Sequence, residues 1–123
     1  MPRSIPDVGP LAEAGDPYSQ VVEAAGLVFV AGQVGRPRGA PEMTFRDEAR
    51  ATFEKIRALL EAVGLGLDSV VRCTVYLTDF ADFAVMNEVF RSFFPERPPA
   101  RTTVGVAALA RDCRIEVEVT AAR

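Results

Sequence analysis

The sequence predicts a single α+β domain over residues 1–123, with its elements in the order strand, strand, helix, strand, helix, strand, strand. Three observations predict it. Short runs rich in β-branched residues alternate apolar with polar positions; two longer stretches repeat apolar residues every three or four positions; and Gly or Pro stands at the joins.

Ser19 to Ala24 and Leu27 to Gln33 read as two strands turning at Ala25 and Gly26, an opening hairpin. Residues Val34 to Met43 hold Gly35, Pro37, Gly39 and Pro41, a spacing that neither a helix nor a central strand tolerates, so this stretch is a loop. From Phe45 onward Ala49, Phe53, Ile56, Leu60 and Val63 share one helical face. Thr44 can cap this helix, with Asp47 in the reciprocal position, and Gly64 can end it in a left-handed turn.

Val70 to Thr78 is a strand with Val71, Cys73, Val75 and Leu77 on one side and Val70, Thr74 and Tyr76 on the other. A second helix spans Asp82 to Phe94, where Phe83, Met86, Phe90 and Phe93 or Phe94 form an apolar stripe closed by Pro95. Ala100 to Val106 and Arg114 to Ala122 then read as two strands around a polar turn at Arg111 and Asp112. Two helices can cover only one face of the sheet. The strands Leu27 to Gln33 and Val70 to Thr78 carry apolar residues on both faces, so a homo-oligomer is expected to cover the second.

Composition limits the chemistry. The chain has no histidine, which removes the commonest metal ligand and the commonest neutral-pH general base. A net charge of -3 speaks against nonspecific nucleic-acid binding, which calls for a basic excess. Cys73 and Cys113 lack the spacing of a disulfide framework or a zinc site and read as buried thiols. No apolar run reaches bilayer length, and Met1 to Pro10 lacks a basic segment followed by a hydrophobic one, so a cytoplasmic protein with no membrane partner is expected.

Few residues stand out as candidates. Arg101 follows Pro98, Pro99 and Ala100, a rigid approach that suits a guanidinium gripping a carboxylate; taken alone, it reads rather as paired with a surface or interface acid. Glu116 and Glu118 alternate with Ile115, Val117 and Val119, so both carboxylates point away from the helix-packed face. If the last two strands pair with Thr103 opposite Glu116, then Arg101 and Glu116 project from the same face. Tyr18 at a strand start and Asn87 beside the second helix's stripe are polar candidates that, singly, read as structural. Gly35 to Gly39 lacks the Lys and Ser/Thr of a phosphate loop.

Together, several stretches resemble the Rid family of reactive-intermediate deaminases, the RidA or YjgF proteins. They are Pro17-Tyr18-Ser19-Gln20, Ala31-Gly32-Gln33 after an apolar strand, Thr74 to Asp79 leading to Asn87, and Pro99-Ala100-Arg101-Thr102-Thr103-Val104 with Leu109 and Ile115-Glu116-Val117-Glu118. The resemblance implies a chorismate-mutase-like mixed sheet with two helices on one face, assembled as a homotrimer with ligand clefts between neighbouring subunits. It implies hydrolysis of 2-imino acids, or their enamine tautomers, to 2-keto acids and ammonia, as in a 2-iminobutanoate/2-iminopropanoate deaminase, with neither metal nor organic cofactor.

By the same resemblance, Arg101 grips the carboxylate of a small imino or keto acid and Glu116 orients or activates water. Tyr18 and Asn87 line the cleft, Gly32 brings backbone close to the ligand, and Ala31 and Thr103 sit at binding positions where relatives commonly carry serine and often cysteine. Two rivals remain open. One is a non-catalytic trimer that binds small carboxylates or regulates a partner; the other is a ribonuclease, against which stand the acidic balance and the missing histidines. A chorismate mutase is more remote, since its dicarboxylate would want more than one cleft arginine.

Overall fold

The computed structural model describes residues 2–12 and 15–123. Strands β1 (Val21–Ala24) and β2 (Leu27–Gln33) form the expected hairpin, with Ala25 and Gly26 both at positive φ (54° and 77°) in the two-residue turn. Helix α1 (Phe45–Ala62) starts where Thr44 Oγ1 accepts the Asp47 amide hydrogen at 3.1 Å, and Gly64 follows its end at φ 81°. Strand β3 (Val70–Leu77), helix α2 (Phe83–Phe93), strand β4 (Ala100–Gly105) and strand β5 (Ile115–Ala122) complete the order read from the sequence.

The sheet is mixed, with spatial order β1-β2-β5-β3-β4. All neighbours are antiparallel except β3 and β4, which run parallel and are joined through α2. Here the structure corrects the sequence reading. Ala100 to Val106 and Arg114 to Ala122 are not a hairpin: β4 pairs only with β3, while β5 lies between β2 and β3. The reason is the stripe of α2, which must be buried on the sheet, and a helix crossing over between parallel strands does this. Arg111 and Asp112 do turn the chain, at φ 59° and 53°, but the turn delivers β5 into the central slot across β3.

Both helices pack on one face. From α1, Ala49, Phe53, Ile56 and Leu60 are fully buried against Val28, Val30, Val75, Leu77, Ile115 and Val117 of the sheet. Phe53 meets Phe90 and Phe93 of α2 at ring-centroid distances of 5.9 and 5.4 Å, so one aromatic cluster ties the two helices together. A carboxylate is also buried there. Glu48 on α1 accepts the backbone N–H of Arg114 at 2.6 Å and of Ile115 at 3.3 Å, fixing the start of β5.

The opposite face is bare among the described residues. Phe29 and Val104, which point to it, are 44% and 37% exposed.

Candidate active site

The interior of β5 decides where Glu116 goes. Ile115, Val117 and Val119 are buried under the helices, so the period of two sends Glu116 and Glu118 to the bare face, as the alternation in the sequence required. Beside them β2 carries an irregularity: Val30 pairs with Val119 but Gln33 with Val117, leaving an extra residue at Ala31-Gly32. Gln33 holds this bulge. Its buried amide donates to the Ala31 carbonyl at 2.9 Å and to Gln20 Oε1 at 2.7 Å, tying down the segment that brings in Tyr18.

Gly32 is required by Glu116. A Cβ at position 32 would stand 2.2 Å from Glu116 Oε2, so the carboxylate lies over the bulge in the space that any side chain there would fill. Tyr18, Ala31, Gly32 and Glu116 line one open cavity of about 580 Å³. Its rim also holds Asp16, Arg38, Lys55 and Arg111, which the sequence reading had not assigned to a site. Arg38 comes from the Gly/Pro loop and Lys55 from the polar flank of α1, and no local motif marks either one.

Glu116 is half-buried and makes no hydrogen bond or ion pair among the described residues. Burial, and then the neighbouring Glu118 charge, push its carboxyl above the ordinary glutamate range. Glu118 itself accepts the Tyr76 hydroxyl at 2.7 Å.

Arg101, Thr103 and Asn87 are elsewhere. Arg101 and Thr103 pair with Cys73 and Val75, whose side chains are buried on the helix side, so they share that face. The Arg101 guanidinium stacks over Phe90 of α2 at 4.7 Å from the ring centroid, near Phe83 at 5.7 Å, with Nη1 3.8 Å from Met86 Sδ. Among the described residues it makes no salt bridge. Among the described residues the buried Thr103 hydroxyl has no hydrogen-bond partner, and Asn87 is half-buried on α2.

The expectation that Thr103 faces Glu116 is therefore wrong. Tyr76 faces Glu116, and within one chain Arg101 and Glu116 lie on opposite faces of the sheet, with β3 between their strands. The described residues hold no group of three or more His, Cys, Asp or Glu side chains placed to bind a metal. No helix among them is long and apolar enough to cross a membrane.

A mixed five-stranded sheet with both helices on one face places the chain in a class of small α+β domains that includes the YjgF gene product of E. coli. That crystal structure superimposes with a TM-score of 0.85 at 33% identity, covering 98% of each chain. The model of the family described as Endoribonuclease L-PSP matches residues 10–123, and the chain belongs to this family, which is also the YjgF/RidA/RutC family. The crystal structure of E. coli TdcF with bound serine matches with a TM-score of 0.82 and 36% identity, covering 89% of this chain and 91% of that one. A 2-iminobutanoate/2-iminopropanoate deaminase of Dermatophagoides farinae is 39% identical over 105 residues, which is 83% of this chain and 82% of the relative.

Proposed function

We propose that the protein hydrolyses reactive 2-imino acids, or the enamines that tautomerise to them, to 2-keto acids and ammonia. The observation that carries this is the state of its two charged groups. A guanidinium backed by an aromatic ring has no carboxylate partner among the described residues, and a half-buried carboxylate lies over a glycine with no donor bound to it. Because the two lie on opposite faces of one sheet, the reading takes the cleft to form between chains of a homotrimer. Arg101 on the edge strand β4 of one chain then faces the cavity of Glu116, Gly32 and Tyr18 on the next.

In that cleft Arg101 holds the substrate carboxylate through a bidentate pair. Water adds to C2 of the protonated imine as Glu116 takes one of its protons, and the C=N electrons move to nitrogen. Glu116 returns the proton to nitrogen; the C2–N bond breaks, ammonia leaves, and the hydroxyl becomes the keto oxygen with loss of its proton. A protonated imine is already electrophilic, so positioning and general-base help of about 10²–10⁴-fold suffice.

The serine bound to TdcF and the deaminase name of the D. farinae protein support a small carboxylate ligand. The test generates 2-iminopropanoate or 2-iminobutanoate with a separate amino-acid enzyme and follows its loss. Wild type should accelerate the loss and Arg101→Ala should return it to the buffer rate. Equal decay with wild type and with buffer alone ends the deaminase reading; if keto acids still bind by calorimetry, a carboxylate-binding trimer takes its place. The family description favours a ribonuclease as the other reading, and RNA cleavage that survives loss of both Arg101 and Glu116 would support it.

A further inference from the structure

The deaminase reading asks one carboxylate to take a proton from water and hand it on to nitrogen. A fully solvated glutamate is a weak base for the first task, since efficiency follows the affinity for the proton. The surroundings of Glu116 supply a remedy in two residues that the reaction scheme does not use. Tyr76 on β3 sits directly across from Glu116 in the β3–β5 register, and its hydroxyl bonds to Glu118 Oε1 at 2.7 Å instead of to Glu116. Glu118 is two positions along β5 from Glu116 and on the same face.

We propose that Tyr76 and Glu118 are positioning residues for the reaction: the phenol pins the Glu118 carboxylate beside Glu116, and the fixed negative charge makes Glu116 a better proton acceptor and carrier. The inference rests on the deaminase reading for its consequence in catalysis, though not for the relationship between the two carboxylates. Two features of the geometry favour it. The Tyr76 hydroxyl donates to Glu118 and not to Glu116, so the phenol fixes the place of the Glu118 carboxylate alone. Gly32 excludes any side chain from its own position, where the Glu116 carboxylate lies. Consistent with this placement, burial first and the Glu118 charge second push the Glu116 carboxyl up.

Other titratable groups line the Glu116 cavity, and Arg72 of β3 lines a smaller cavity together with Glu118. Asp16 and Tyr18 come from the segment before β1, Lys55 from α1, Arg38 from the loop after β2 and Arg111 from the turn before β5. The cations line the same cavity but none forms an ion pair with Glu116 among the described residues.

The experiment follows the Glu116 carboxyl carbon by ¹³C NMR titration and, on the same proteins, the pH profile of kcat/KM for 2-iminopropanoate hydrolysis. Two conservative variants are compared with wild type. Glu118→Gln keeps an oxygen for the Tyr76 hydroxyl but removes the charge; Tyr76→Phe keeps the ring and releases Glu118.

The proposal expects the Glu116 midpoint to move to lower pH in Glu118→Gln, the acid limb of the profile to move with it, and Tyr76→Phe to shift both in the same direction by less. A purely structural role would lower activity at every pH and leave the limb in place. An unmoved Glu116 midpoint in Glu118→Gln overturns the proposal, as does a midpoint that moves while the limb stays. A wild type with no imine hydrolysis overturns the deaminase reading and with it the catalytic half of this proposal, while the titration still decides whether Glu118 governs the Glu116 proton.

Discussion

The Glu116 carboxylate lies in the space above Gly32 that a Cβ would occupy, with Oε2 2.2 Å from that position. The clash is with the far end of a flexible side chain, so Gly32→Ala should displace the carboxylate at little cost to the fold. We expect kcat/KM for imine hydrolysis to fall by about ten- to a hundredfold, equivalent to ~1.4–2.7 kcal/mol of transition-state stabilisation. Thermal unfolding measured alongside should be close to wild type.

Gly35 marks the contrasting case. There a Cβ would meet backbone atoms of α1, 2.5 Å from the Thr52 nitrogen and 2.7 Å from the Glu48 carbonyl, neither of which can swing aside. One glycine keeps the candidate site open and the other lets the loop close on the helix.

Glu48 should be a stability residue with no part in turnover. Its buried carboxylate receives two backbone N–H groups at the start of β5, and removing it leaves both without that acceptor. Glu48→Ala should lower unfolding free energy by about 2–4 kcal/mol in a denaturant titration. The material that remains folded should keep its KM.

Cys73 should be chemically silent. Burial between the sheet and the helices pushes its thiol up to about 12, with the nearby Arg101 charge only partly opposing this. The reactive thiolate forms above that value, so at pH 8 a fraction of only about 10⁻⁴ is ionised. Iodoacetamide should leave Cys73 unmodified in the folded protein at pH 8, as read by mass spectrometry, and modify it once denaturant is added.

Much of this was legible in the chain itself. The stripe of Ala49, Phe53, Ile56 and Leu60, its cap at Thr44 and its end at Gly64 are local signals, and the structure follows them. The alternation around Glu116 likewise gave its face, because a period of two leaves no other choice once Ile115 and Val117 are buried. Pairing was another matter. Ala100 to Gly105 has the same local pattern whether it pairs with β3 or β5, and the choice depends on how α2 packs, which no window of sequence contains. That one error placed Arg101 and Glu116 on a shared face. The bulge at Ala31-Gly32 and the cations Arg38, Lys55 and Arg111 were missed for a related reason, since each depends on contacts between segments distant in sequence.

The most direct test of the account mixes two disabled proteins. Arg101→Ala and Glu116→Gln should each be inactive toward 2-iminopropanoate as pure assemblies. If every cleft takes Arg101 from one chain and Glu116 from the next, unfolding the two together in equal amounts and refolding them should leave about a quarter of the clefts with both groups intact, and so about a quarter of wild-type activity. Recovery near that level is the predicted result. A mixture as inactive as either parent, with mixed assemblies confirmed by native mass spectrometry, would contradict the two-chain cleft on which the mechanism depends.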